Sequence, residues 1–310
     1  MLEQTRQDAP SPWHEGELAM QRSVGVVERM DGPGRNFLRK AMPEQHRAFF
    51  PMLPFIVLGA VDAKGDVWAT VRAGHPGFLV SPEPEILDVS LARDPADPAD
   101  AGMEDGDAIA MLGIQLETRR RNRLNGVIRR ADAGTFHVRV GQSFGNCPQY
   151  IQPRSSAFVR DPDLATAIPP LHSGQLDDRA RRMVEGADTF FVASYVDRNN
   201  GERQVDVSHR GGYAGFIDVG ADGVLTIPDF PGNRFFNTLG NFLVNPKAGL
   251  AFVDFATGDM LQMTGRAEVL LESPEITAFP RAERLWRFTP EAVVFRPDAL
   301  PLRWSLPRDL

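Results

Sequence analysis

A chain of 310 residues has room for about two domains of ordinary size, and 42% hydrophobic with 24% charged residues is the composition of a globular protein. A formal net charge of −7 leaves no basic footprint for nucleic acid, and a single cysteine, Cys147, excludes an internal disulfide or a multi-cysteine metal site. The longest apolar stretch, Phe55–Val61, is too short to cross a bilayer, and residues 1–20 hold no apolar signal core, so a cytoplasmic protein without a membrane partner is expected.

Taken in chain order, Pro43–Phe50 reads as a short helix with proline at its first position. Phe55–Val61, Thr135–Val140, Thr189–Val196 and Gly249–Phe255 read as strands; the second alternates and the others are continuously apolar, as in barrel or sandwich cores. Asn237–Val244 is an amphipathic helix that Asn245-Pro246 must stop. The 28 glycines and 25 prolines are spread throughout and divide the chain into short segments, as β-rich folds require.

The two halves repeat each other. Val61-Asp62 recurs as Val196-Asp197 (197 − 62 = 135), and Arg72-Ala-Gly-His-Pro-Gly-Phe78 as Arg210-Gly-Gly-Tyr-Ala-Gly-Phe216 (210 − 72 = 138). Leu116-Glu-Thr118 followed by Gly126 recurs as Phe255-Ala-Thr257 followed by Gly265 (265 − 126 = 139). A period near one domain length means two copies of one domain. The expected layout is an N-terminal extension over 1–40, a first barrel over 41–152, a linker over 153–182 and a second barrel over 183–310. Each copy reads as a small antiparallel barrel, whose closure removes exposed strand edges.

The chemistry concentrates in the second half. Ser208, Arg210, Asn233, Arg234, Asn237 and Thr238 gather hydroxyl, amide and guanidinium donors around a helix start. Guanidinium groups match phosphate oxygens in a bidentate fork, and a helix N-terminus adds free N–H groups. The competing reading is structural: asparagines closing turns, arginines in solvent. The first-half counterpart, Arg93–Asp107, carries Asp97, Asp100, Glu104, Asp105 and Asp107, which would repel a phosphate. That asymmetry favours one phosphate site, in the second barrel.

These same residues carry a resemblance. Ser-His-Arg-Gly-Gly at 208–212, Pro-Asp-Phe-x-Gly-Asn at 228–233, Phe-Asn-Thr-Leu-Gly-Asn at 236–241, Asn-Pro-Lys-Ala-Gly-Leu at 245–250 and the run 258–268 resemble the pyridoxamine 5′-phosphate oxidase-related FMN-binding proteins. Trp13–Glu17, Met42–His46, Thr118–Arg123 and Ser143–Ile151 resemble the subfamily with two split barrels in one chain. The resemblance implies a mainly β fold of two tandem split β-barrels, with FMN held where barrels meet. It implies Arg210 at the phosphate, Asn237 and Thr238 at the following helix, and Gln262 near the isoalloxazine ring. The cofactor-binding set is then Ser208, His209, Arg210, Gly211, Asn233, Arg234, Asn237, Thr238, Asn241 and Gln262. The family's Ser-Arg-Lys run is replaced by Phe236-Asn237-Thr238, with Arg234 to supply charge, and the tail lacks the oxidase's C-terminal signature. Pyridoxamine phosphate itself is therefore not the expected substrate.

The expected activity is FMN-dependent oxidoreduction with a small-molecule substrate or electron donor, in a homodimer by resemblance. The alternatives are a non-catalytic flavin-binding protein, or a haem-binding split barrel with His209 or another histidine as iron ligand. Asn146, Cys147, Arg119 and Arg121 are candidates to reach the flavin face or the substrate; the reading favoured for Cys147 is nonetheless a small buried residue, and the plainer one for the arginines a solvated hairpin. Gly141-Gln-Ser-Phe-Gly145 matches a nucleophile-elbow pattern around Ser143, but Pro148 and Pro153 deny it the helix that elbow needs. His14, His46, His75, His137, His172 and His209 include no close pair at ligand spacing, so no metal site is expected.

Overall fold

The computed structural model describes residues 11–307 except 131, 146, 165 and 199. Two helices, α1 (Glu15–Ser23) and α2 (Val27–Phe37), precede a one-turn helix α3 (Glu44–Arg47). The first barrel follows: β1 (Phe55–Val61), β2 (Val67–Ala73), β3 (Leu79–Val80), β4 (Ile86–Ser90), β5 (Ala108–Gln115), β6 (Arg120–Arg130) and β7 (Thr135–Gly145). Two short strands, β8 (Ser155–Phe158) and β9 (Leu171–Ser173), and helix α4 (Asp178–Glu185) lead to the second barrel. That barrel comprises β10 (Thr189–Asp197), β11 (Arg203–Gly211), β12 (Asp218–Val219), β13 (Leu225–Asp229), helix α5 (Asn237–Val244), β14 (Lys247–Val253), β15 (Met260–Leu270) and β16 (Arg284–Arg296); β17 (Leu302–Ser305) ends it.

The protein is mainly β, two split barrels in tandem, and the repeat is exact in topology. The strand order is β2-β1-β5-β6-β7-β4-β3 in one sheet and β11-β10-β14-β15-β16-β13-β12 in the other, antiparallel at every pairing. Even the irregularity repeats: the ladder slips between Asn125 and Gly126 in the first barrel and between Thr264 and Gly265 in the second. Gly126 and Gly265 are needed for close approach, because a Cβ there would lie 2.1 Å from the carbonyl oxygen of Arg139 or Thr289 respectively.

Each barrel has its own interior, one built around Phe49, Ile56, Met111 and Leu124 and the other around Phe190, Leu250, Met263 and Trp286. A third core lies between them. Val57, Val71, Ala110 and Leu112 of the first barrel meet Phe191, Ala193, Val207 and Ala251 of the second, so β2 packs on β14 and β5 on β11.

The segment 153–182 is less of a linker than its prolines suggest. β8 pairs with β17, and β9 pairs with β16, so both backbones find partners in the second half. The helix expected at Pro43–Phe50 is only one turn long, continued by a 3₁₀ turn at Phe50–Met52 that Pro51 permits.

Gly126→Ala and Gly265→Ala are each expected to destabilise the chain by about 1–3 kcal/mol, since backbone must move to admit the methyl group. Thermal unfolding of the two variants checks this, and comparable losses are expected because the two sites have the same geometry.

Candidate functional site

β11 lies at the edge of its sheet, and alternation puts Asp206, Ser208 and Arg210 on one face while Val205, Val207 and His209 take the other. Opposite them the chain turns sharply into α5. Arg234 and Phe236 both have positive φ (65° and 61°), a costly conformation for bulky residues, and no side chain caps the helix. Thr238 Oγ1 sits 3.3 Å from Ser208 Oγ, joining the helix start to the strand.

The first barrel supplies the remaining wall. Arg123 of β6 is buried; its Nη2 donates to Asp206 Oδ1 at 2.6 Å and its Nη1 to Asn237 Oδ1 at 3.3 Å. Arg121, two residues earlier on the same face, donates to the Cys147 carbonyl from Nε (3.0 Å) and Nη2 (2.6 Å). The loop after β7 thereby closes over the second barrel, where Tyr150 donates its hydroxyl to the Pro231 carbonyl and stacks on Phe230.

Among the described residues the resulting cleft is lined by five arginines, Arg121, Arg123, Arg210, Arg234 and Arg284, against one carboxylate, Asp229. Asp229 is shared, receiving Arg210 at 3.2 Å and Arg284 at 2.7 Å, while Arg234 pairs with Glu283. The cations are crowded. Burial, then Arg123 and Arg210, push Arg121 down to about 10; burial also lowers Arg123 against the opposing pull of Asp206. The Nε atoms of Arg123 and Arg210 are buried and have no hydrogen-bond acceptor among the described residues. His209, 5% exposed, packs edge-on to Phe191 with both ring nitrogens unpartnered. Burial, with Arg121, Arg210 and Arg154 adding to it, holds its pKa well below the ordinary value, so the ring is neutral.

Past Tyr150, Phe216, Pro228 and Phe230 the cleft joins a groove of about 790 Å³, whose further walls include Tyr213, Phe279 and Arg281. Tyr213 is 78% exposed there, and Tyr150 and Arg281 both have positive φ.

Of the residues singled out from sequence, Ser208, His209, Arg210, Gly211, Asn233, Arg234, Asn237, Thr238, Cys147 and Arg121 all line the cleft. Three do not. Asn241 is fully buried one turn into α5, where it bonds His14, Ser194 and Asp206 and ties the helix to the barrel. Gln262 points into the opposite side of the interface, donating to the Ala69 carbonyl and to Asp97. A side chain on β15 crosses toward the first barrel, so it cannot serve its own barrel's cleft; the residue that does is Arg123. Arg119 stands at the exposed β5–β6 turn with φ of 57°, off the strand face that carries Arg121 and Arg123. Asn146 lies outside the described residues. Cys147 is exposed, not the small core residue that free cysteine usually is. Ser143 is wholly buried in β7, 2.9 Å from His46 Nδ1, with no route for a substrate. One group that sequence spacing did not reveal, exposed His75, Asp161 and Asp163, brings three potential metal-ligand atoms within 4.8 Å of one another.

Sequence reasoning also passed over Glu17. Helix α1 lies against α5 so closely that a Cβ on Gly16 would sit 2.0 Å from the Gly240 oxygen. This brings Glu17, 1% exposed, to accept a hydrogen bond from Asn237 Nδ2 as well as from the His14 backbone. A capping box of His14 and Glu17 opens helix α1, and nothing in that pattern indicates the contact with Asn237.

No family model matches the sequence, and no curated protein matches it. Among solved structures, similar ones include a putative pyridoxamine 5′-phosphate oxidase from Lactobacillus delbrueckii (13% identity, TM-score 0.28, 35% of this chain and 98% of that one). Others are the FAD binding protein from Mycobacterium smegmatis (12%, 0.28, 42% and 98%) and HutZ, the haem storage protein from Vibrio cholerae (15%, 0.26, 38% and 91%). Each of these whole chains aligns to well under half of this one.

Burial and Asp206 push the Glu17 carboxyl up to about 8 from 4.5. The folded chain therefore holds a proton there that the unfolded chain releases, and the stability this carries is full below 4.5 and lost as pH rises toward 8. Glu17→Gln is expected to flatten the decline in stability between about pH 5 and pH 8, by at most about 1.4 kcal/mol per pH unit. Urea unfolding of both chains across that range measures it.

Proposed function

We propose that the inter-barrel cleft holds FMN by its phosphate and that the protein is an FMN-dependent oxidoreductase related to the pyridoxamine 5′-phosphate oxidases. The observation that carries this reading is the excess of guanidinium groups at an uncapped helix start, with the buried Nε atoms of Arg123 and Arg210 left without acceptors. Buried like charges are costly without a counterion, and a phosphate dianion accepts from several such donors at once. Arg210, Ser208 and Thr238 would hold the phosphate, with Arg123 entering from the other barrel. Both walls come from one chain, so the proposed site needs no second copy.

When bound, the flavin supplies hydride or electron transfer, and the protein's part is orientation and electrostatics. The crowded arginines favour any negative charge gained on reduction. The aromatic walls of the adjoining groove, Tyr150, Phe216, Phe230 and Phe279, suit a flat ring beside the anion cluster. A small-molecule electron donor or acceptor would approach there.

The unpartnered, neutral imidazole of His209 favours one second reading. Such a ring is competent to ligate iron, which makes haem the rival cofactor.

The test is the absorbance spectrum of the purified protein before and after FMN is added, with any released cofactor identified by mass. One FMN per chain is expected, and Arg210→Ala is expected to weaken its binding roughly 10- to 100-fold, the loss of a charged hydrogen-bonding partner. A chain that ignores FMN but gives a Soret band with haem, lost in His209→Ala, would establish the second reading instead.

A further inference from the structure

The first barrel contains the same cradle with an anion already in it. One repeat before Ser208 and Arg210 stand Thr70 and Arg72 (208 − 70 = 138), and Gln262 stands one repeat after Arg123 (262 − 123 = 139). In the second barrel, the strand hydroxyl of Ser208 and the cross-barrel Arg123 converge on Thr238 and Asn237 at the start of α5. In the first barrel, the strand hydroxyl of Thr70 and the cross-barrel Gln262 converge on one carboxylate, Asp97, at 2.5 and 2.9 Å. Both meeting points lie in the connection between the fourth and fifth strands of their barrel.

Arg296 brings Nη1 to 3.2 Å from Asp97 Oδ2, and Arg72 brings Nη1 to 4.0 Å from the same oxygen. The Asp97 side chain has no solvent exposure. It also accepts from Ala99 N at 3.0 Å, capping a 3₁₀ turn over Pro98–Gly102. Capping would need that one bond alone. Asp97 also accepts from a hydroxyl of β2 and an amide of β15, and Arg72 and Arg296 lie at ion-pair distance without hydrogen-bonding it through Nη1, so the carboxylate is surrounded as a bound oxyanion would be. A cleft of about 660 Å³ runs past Arg72 and Arg296, as the other barrel's cleft runs past Arg210, although Asp97 itself does not line it.

We propose that this is a second anion site, kept occupied by Asp97 as a tethered surrogate for an external oxyanion such as phosphate. A carboxylate on the same chain has an effective concentration that a free anion cannot match, so uptake is confined to the second barrel. Removing that carboxylate strips Arg296 and Arg72 of a buried counterion and leaves Asp94 and Asp100 as their remaining partners. The vacated space is then a weak site for a compact anion. The inference stands whether the second barrel holds flavin, haem or neither.

The test is thermal unfolding of the full chain while inorganic phosphate is raised through the millimolar range at constant ionic strength. Arg210→Ala is the background, which weakens the response of the second barrel, and each Asp97 variant is read as a difference from it. Asp97→Ala is expected to lower the Tm by several degrees, and phosphate to restore it by a few degrees per tenfold rise in concentration. The background without the Asp97 change is expected to respond little, and adding Arg296→Met to Asp97→Ala is expected to abolish the recovery. Asp97→Ser keeps a hydroxyl to cap Ala99 while leaving room for the anion, and replaces the alanine variant if that chain does not fold. Asp97 variants whose Tm depends on phosphate no more than the background's would overturn the proposal. The FMN titration of the unaltered chain is a separate measurement, so failure of the flavin reading and failure of this one are told apart.

Discussion

The packing of one barrel against the other is the constraint on which everything else rests. It is an apolar contact between matching faces of the two sheets, and small residues let it close. A Cβ on Gly59 would lie 3.1 Å from that of Ala193, and one on Gly249 would lie 2.4 Å from the Val67 oxygen. Because the two sheets meet with β2 on β14 and β5 on β11, each barrel's sixth strand hands a side chain to the other: Arg123 from β6, Gln262 from β15. Neither barrel alone could form either cradle.

Each end of this interface buries polar groups, and the chain satisfies them in two ways. At one end Asp97 neutralises Arg72 and Arg296 from within. At the other, Asp206, Asp229 and Glu283 are shared among Arg121, Arg123, Arg210, Arg234 and Arg284. Among the described residues, buried guanidinium nitrogens lack a hydrogen bond at both ends, so the excess of cations is what sets the second apart. Low local dielectric makes that imbalance expensive, which is the physical sense in which the second end is shaped for a ligand. The surroundings hold it in place: Glu17 of α1 reaches Asn237, and the Gly16–Gly240 contact seats α1 on the helix that begins at the cleft.

Much of the fold could be read directly along the chain. The repeat was visible because its anchors do mechanical work: Gly126 and Gly265 sit at matching bulges, and Gly74 and Gly212 lie under the rings of Phe78 and Phe216. The helix at Asn237–Val244 was bounded by a proline and needed no tertiary information to place. Helices α1 and α2, by contrast, gave no strong periodic signal; Trp13, Met30 and Phe235 bury one another only once the second barrel is present.

For the site, sequence alone determined which chemistry is available: hydroxyls, amides and arginines near one helix start in the second half, and carboxylates at the matching place in the first. Those are properties of residue type and spacing. Tertiary structure alone decided which of them meet. It sent Gln262 to the far end of the interface, buried Asn241 as an anchor, exposed Cys147 and brought Arg123 and Glu17 in from other parts of the chain. The reason is geometric: a strand's side chains alternate predictably between faces, but what lies opposite a face is set by how the two barrels pack.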